Sequence, residues 1–336
     1  MEHTLVRVDL KTGFGMTQSA PSVTSQSRRF FSAQEIRDLA RRSDVLGAML
    51  VVHCWAVIIG AMVLVALWPN PLTIVLAIMV IGSRQLGLAI LMHDAAHNAL
   101  FRSPALNEWV GEWLCGRPIL ADLGGYRRYH LQHHRHTQTE RDPDLNLSAP
   151  FPTTRASLRR KFWRDLTGQT GLKQRFQQFA LWLRLAGDDD AIDEANRGNQ
   201  TFAGSGVERG LLVNVLMLAV LITLGVWWLY PLLWVLPLLT WYQLVVRIRN
   251  IAEHGAVEKG DNPLTNVRTT KASWWERAFI APYWVNYHLE HHLVMHVPCY
   301  NLPKLHRKMI DAGHGADMEL GDNYWQVLGK ASAKPG

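Results

Sequence analysis

The sequence predicts an all-α integral membrane protein: four transmembrane helices in two hairpins, with a helical cap on the cytoplasmic side. Three observations carry this. Residues Val45 to Ser83 and Gly210 to Val246 contain no Asp, Glu, Lys or Arg, two runs of 39 and 37 residues. Each is nearly twice the roughly 20 residues that a bilayer requires. Each is interrupted near its middle, by Trp68-Pro69-Asn70-Pro71 and by Trp227-Trp228-Leu229-Tyr230-Pro231. Proline fits a helix start, where its missing N–H would have no partner, so Pro71 and Pro231 open the returning helices. The aromatic residues at both turns fit an interfacial belt.

These runs divide the chain into a tail and pre-membrane helix (1–44), a first hairpin (45–92), a middle segment (93–209), a second hairpin (210–249) and a C-terminal segment (250–336). Lys and Arg number 7 in 1–44, 16 in 92–209 and 11 in 247–336, and both hairpin turns carry none. By the positive-inside rule both termini and the middle segment are cytoplasmic. The 336 residues have a net charge of +7, which topology accounts for without a nucleic-acid partner. Three cysteines exclude a disulfide scaffold. No Gly-rich phosphate loop follows a strand pattern, and the first 28 residues have no signal-peptide core. A soluble protein with two buried hairpins is the plainer alternative, but a soluble core has no need of 37 neutral residues in a row.

Eleven of the 15 histidines fall into four clusters, all on the expected cytoplasmic side. They are His93 and His97; His130, His133 and His134, with His136; His254; and His288, His291 and His292, with His296. Residues at i, i+3 and i+4 share a helix face, so each cluster can aim its imidazoles at one point. His93 lies 22 residues after Pro71 and His254 lies 23 after Pro231. At about 1.5 Å per residue both reach the cytoplasmic edge of the hydrocarbon. Nine imidazoles exceed what one ion takes and suit two first-row metals, a choice that ligand type alone does not narrow among Zn, Cu, Fe and Ni. His3, His53, His306 and His314 read as ordinary polar residues.

At these residues the sequence resembles the membrane fatty acid desaturase superfamily, whose boxes run His-x(3–4)-His, His-x-x-His-His and His-x-x-His-His. All three occur here in order, as His93–His97, His130–His134 and His288–His292, and Asn250 with His254 matches the Asn-x-x-x-His element. The resemblance covers about residues 45–310. It implies a non-haem diiron centre that uses O2 and two electrons on a fatty acyl or other lipid-like chain, acyl-lipid or carrier-bound. The nine histidines would be ligands, with Asn250 holding a water. It leaves desaturation, hydroxylation and ketolase chemistry open. Zinc can take imidazole sites made for iron. No His-Pro-Gly-Gly is present, so a separate ferredoxin or cytochrome b5-like donor with its reductase is expected. The location expected is a bacterial inner membrane, in contact with membrane lipids.

Asp94, Glu253 and Glu290 adjoin ligands and are expected to orient imidazoles. Asp142-Pro143-Asp144 does not decide between branches of the superfamily. An apolar tunnel with Trp and Leu walls is expected to bring the substrate from the bilayer, with Trp109, Trp113, Trp274, Trp275 and Trp284 near the membrane surface. Leu172 to Leu185 reads as an interfacial helix with Arg175 and Arg184 facing water. Arg127, Arg128, Arg135, Arg141, Arg155, Arg159, Arg160, Lys161 and Arg164 form a positive face for an acidic donor. A zinc-dependent hydrolase would need fewer histidines and an open water site. A transporter would place its site near the bilayer midplane.

Overall fold

The computed structural model describes residues 27–184 and 206–334. The polar tail, Leu185 and the end of the middle segment lie outside them. The described chain is mostly helical, and its strands are the parallel pair Thr269–Thr270 and Leu320–Gly321.

The first hairpin follows from its sequence. The Asp44–Leu67 helix starts at Ser43, whose side chain accepts from the Leu46 N–H. The Pro71–Ala96 helix starts at Asn70, which accepts from Leu72 N and Thr73 N, while Thr73 returns the bond to the Asn70 N–H. Pro71 occupies the first turn as expected. Outward residues of the first helix such as Val45, Met49, Val52, Ile59 and Val63 are exposed apolar side chains. A bilayer requires that face, whereas a soluble core would bury it.

The second hairpin is built differently. Three helical stretches are long and apolar enough to cross a membrane: Asp44–Leu67, Pro71–Ala96 and Tyr230–His254. The fourth expected span, Val207–Thr223, has 17 residues, about 26 Å against the ~30 Å hydrocarbon core. Gly225 (φ 72°) turns the chain after it. The returning stretch begins in a π-helical segment, Tyr230–Val235, and breaks at Thr240 (φ −120°, ψ −87°) before Trp241–His254 resumes. Pro237, which has no N–H to donate, lies three residues before the break. Asn214 ties the hairpin together, accepting from Tyr230 Oη at 2.9 Å and Trp234 Nε1 at 3.0 Å. Tyr230, one of the turn aromatics, and the fully buried Trp234 are therefore internal braces.

The two returning helices meet at Gly82, where a Cβ would lie 2.9 Å from the Trp241 ring. The helices outside the hairpins include Leu123–His136, Arg155–Leu166, His288–Leu293 and Leu302–Asp311. Buried Arg268 fastens this part to the end of the returning helix, donating to the carbonyls of Ala252, Gly255 and Ala256 and pairing with Glu319 at 2.9 Å. In Gln169–Arg184, Leu172, Phe176 and Leu183 form an exposed apolar stripe. Arg175 does not face water there: it is buried and donates to Gln178 Oε1 at 2.6 Å.

Candidate metal centre

All nine histidines singled out from the sequence converge. His93, His97, His130, His134 and His291 form one group and His133, His254, His288 and His292 a second, with one ring nitrogen of each within 4.8 Å of the others in its group. The groups adjoin: the His134 and His292 rings stack at 4.2 Å.

Local geometry explains who goes where. His93 sits in the last turn of Pro71–Ala96 and His97 is its C-cap. His254 ends Trp241–His254, and Asn250 lies one turn earlier. The two His-x-x-His-His boxes lie on the Leu123–His136 and His288–Leu293 helices. Neither box aims at one point. His130 and His134 serve the five-histidine group and His133 the other, while His288 and His292 serve the four-histidine group and His291 the first. Residues at i and i+4 stand about 40° apart around a helix, but neighbours stand about 100° apart. Each box therefore straddles both groups.

The donor set fits cations. His134 Nε2 lies 2.9 Å from His130 Nε2 and 3.0 Å from His291 Nε2; His288 Nε2 lies 2.8 Å from His254 Nε2 and 3.1 Å from His292 Nε2. Nε2 of His93 and the ring nitrogens of His97 are buried without hydrogen-bond partners. Buried polar nitrogens are costly unless something binds them, and a cation shared among the lone pairs would. Burial, and then the neighbouring imidazoles, hold His130, His134, His291 and His292 well below the ordinary histidine range. Neutral imidazole is the form a metal takes. His133 differs: burial opposes its protonation, but the Asp142 hydrogen bond and the Asp144 and Asp142 charges outweigh that and raise it.

The carboxylates around the groups only partly match expectation. Asp94 lies 3.5 Å from His93 Nδ1, and its other oxygen accepts from Cys299 N at 2.8 Å. Glu253 is 3.3 Å from His288 Nε2 and is paired with Arg249. Glu290 points away from the groups: it accepts from Thr269 Oγ1 and lies 2.5 Å from His306 Nδ1, so it anchors the third box to the Leu302–Asp311 helix. The carboxylate most engaged with an imidazole is Asp142, whose Oδ1 lies 2.8 Å from His133 Nδ1. It is itself held by the N–H groups of Gln138 and Asp144, each at 2.8 Å. Sequence reasoning noted Asp142-Pro143-Asp144 without giving it this part. Its place nine residues beyond His133 was the available signal. Thr137 Oγ1, 3.3 Å from His292 Nδ1, carried no such signal. Arg127, counted in the expected positive face, also donates to the Ala95 and Ala96 carbonyls of the first box.

A cavity of about 270 Å³ reaches the centre, touching His93, His130, His133, His254 and His288. Its wall is mixed: Leu86, Ile90, Met92 and Phe151 lie beside Tyr126, Asn146, Gln174 and Gln177. The five tryptophans expected near the membrane surface do not line it.

Helices long and apolar enough to cross a membrane, joined to two buried histidine groups that could each hold a metal ion, define the class of scaffold. The sequence model of the family "Fatty acid desaturase" matches residues 66–321, and the chain belongs to that family. It is an enzyme of the oxidoreductase class. Its curated relatives include the dihydrorhizobitoxine desaturase of Bradyrhizobium elkanii, 27% identical over 307 residues that cover 86% of this chain and 84% of the relative.

Proposed function

We propose that this chain is an O2-dependent desaturase that binds two ferrous ions, one in each imidazole group, and forms a double bond in its substrate. The carrying observation is the convergence of nine imidazoles into two adjoining groups at the end of a cavity, in a chain of the fatty acid desaturase family. Bound there, the iron pair supplies O2 reduction and hydrogen abstraction from an unactivated C–H bond. Two electrons come from a separate ferredoxin or cytochrome b5-like donor and two from the substrate, and O2 leaves as two waters. Both termini face the cytoplasm of a bacterial inner membrane in this reading.

The chain's own residues do the positioning. The Asp142 bond to Nδ1 of His133 leaves Nε2 free to face the centre. Tyr126 stacks on His130 at 5.1 Å and fixes the plane of that ring. Asn250 lines the cavity one turn before His254 and is assigned a water ligand of the four-histidine group.

The family's name points to a fatty acyl chain. A second reading takes the named substrate of the Bradyrhizobium relative, dihydrorhizobitoxine, rather than a fatty acyl chain as the guide, with Asn146, Gln174 and Gln177 offering hydrogen bonds beside the apolar part of the cavity wall. One experiment addresses reaction and substrate together. Cells expressing the chain or its His133→Ala variant are extracted, and the lipid and aqueous fractions are compared by mass. A product lighter by two hydrogens, absent from the variant, is expected. Gain of one oxygen would instead make the chain a hydroxylase or ketolase. A product formed without O2 by cleavage with addition of water would overturn the oxidative reading in favour of a zinc-dependent hydrolase.

A further inference from the structure

A second cavity, of about 590 Å³, lies away from the metal centre, between the first hairpin and the Trp274–Trp284 segment. Arg84 lines it. Arg84 is the first charged residue after the uncharged run in the Pro71–Ala96 helix, thirteen residues after Pro71 and nine before His93. That places it about 20 Å along the helix and about 14 Å short of the first histidine box. A charge at such depth is expensive in a membrane and marks function by default.

The surroundings of Arg84 are built rather than incidental. Its side chain is 7% exposed and donates to the Ala278 carbonyl at 2.5 Å, with its guanidinium 5.6 Å from the Tyr283 ring centre. Neither Arg84 nor Arg277, the second cation on the cavity wall, forms an ion pair with a carboxylate among the described residues. Neighbouring Glu276 is occupied, capping its own helix at Ser273 and accepting from Tyr324 N. His53 Nδ1 lies 3.1 Å from Tyr283 Oη at the same wall. Tyr283 and Trp284, both lining residues, hold consecutive left-handed backbones at φ 52° and 57°. Two side-chain-bearing residues in that region are strained, and such strain gathers at ligand sites. The remaining wall is apolar: Leu50, Val57 and Val80 come from the two helices of the first hairpin.

Two cations without anionic partners above an apolar groove between spans suit an amphiphile with a negative head. We propose that this cavity binds an anionic phospholipid, with its phosphate on Arg84 and Arg277 and an acyl chain along Leu50, Val57 and Val80. The lipid would clamp the Trp274–Trp284 segment, which leads directly into the third histidine box, against the first hairpin. The groove is what favours a lipid over a free anion, since inorganic phosphate would leave it uncovered.

The test uses the full-length protein in detergent, delipidated and then titrated with dioleoyl-phosphatidylglycerol or dioleoyl-phosphatidylcholine, with bound lipid counted by native mass spectrometry. One phosphatidylglycerol per chain is expected, bound at least tenfold more tightly than phosphatidylcholine. Arg277→Gln, an exposed position that folding should tolerate, is expected to weaken phosphatidylglycerol five- to tenfold. Arg277→Lys should restore most of the loss, and Arg84→Gln should weaken binding further where it folds. Equal binding of the two lipids, or no change in Arg277→Gln, would overturn the site. Full displacement of phosphatidylglycerol by millimolar inorganic phosphate would overturn the lipid assignment.

Discussion

The two imidazole groups are neighbours made of the same side chain, yet they are supported differently. In the four-histidine group, Nδ1 of His133 is held by Asp142 at 2.8 Å and Nδ1 of His292 by Thr137 at 3.3 Å, while Nδ1 of His254 has no hydrogen-bond partner. In the five-histidine group the nearest carboxylate to His93 is Asp94 at 3.5 Å, and His97 has no hydrogen-bond partner on either nitrogen. Outer hydrogen bonds set tautomer and ring orientation and raise ligand basicity. The braced group is therefore preorganised with four imidazoles. The less braced group has a fifth imidazole and depends more on the cation itself, which can take one nitrogen of each ring.

The largest expected effect separates the groups outright. His133→Ala removes a ligand from one and His291→Ala from the other. Each should leave about one metal per chain and lower turnover by at least a hundredfold, as read by metal analysis and product formation. Normal metal content and turnover in either variant would dissolve the two-group account.

A smaller effect probes the bracing alone. Asp142→Asn keeps shape but removes the charge on His133, and outer partners of this kind are worth about 10–100-fold in metal affinity or activity. In a chelator challenge the variant should release one metal early and retain the other at the wild-type rate. Asp94→Asn, at a longer distance from its imidazole, should change release less than Asp142→Asn. A larger change in Asp94→Asn would reverse the comparison.

The smallest effect concerns scaffolding. His306→Gln replaces the charged-group hydrogen bond to Glu290, an interaction worth about 1.5–3 kcal/mol. Thermal stability should fall by several degrees, with both metals retained. Metal loss comparable to that in His133→Ala would mean that His306 belongs to the centre rather than to its support.

Acid should destabilise the metal-free protein. His130, His134, His291 and His292 have depressed proton affinity, so below about pH 6.5 the unfolded chain takes up protons that the folded chain refuses. Stability present above that pH is lost as pH falls. The unfolding midpoint of the metal-free protein should drop between pH 7 and pH 5.5, and a midpoint that rises would contradict the sign.

Much of this was legible in the residues. Charge-free runs placed the hairpins, Asn70-Pro71 placed a helix start, and helical spacing collected the nine histidines. Spacing did not say how each box divides, because that depends on the rotation of its helix against the others. Nor did apolarity distinguish the hairpins: equal runs became a continuous, capped pair and a pair broken at Thr240, since composition sets depth but not helix continuity. Asp142 and the wall residues Gln174 and Gln177 come from separate segments, and only tertiary packing brings them to the centre. The fold also put Trp274 and Trp284 on a cavity with Arg84, away from the histidines.

The central claim is that two metals sit in two distinguishable groups. Its most direct test is iron per chain by elemental analysis, with Mössbauer spectroscopy, on iron-loaded wild type, His133→Ala and His291→Ala. The account predicts two irons in the wild type and one in each variant, with the surviving iron giving a different signal in the two. One iron in the wild type, or the same residual signal in both variants, would contradict it.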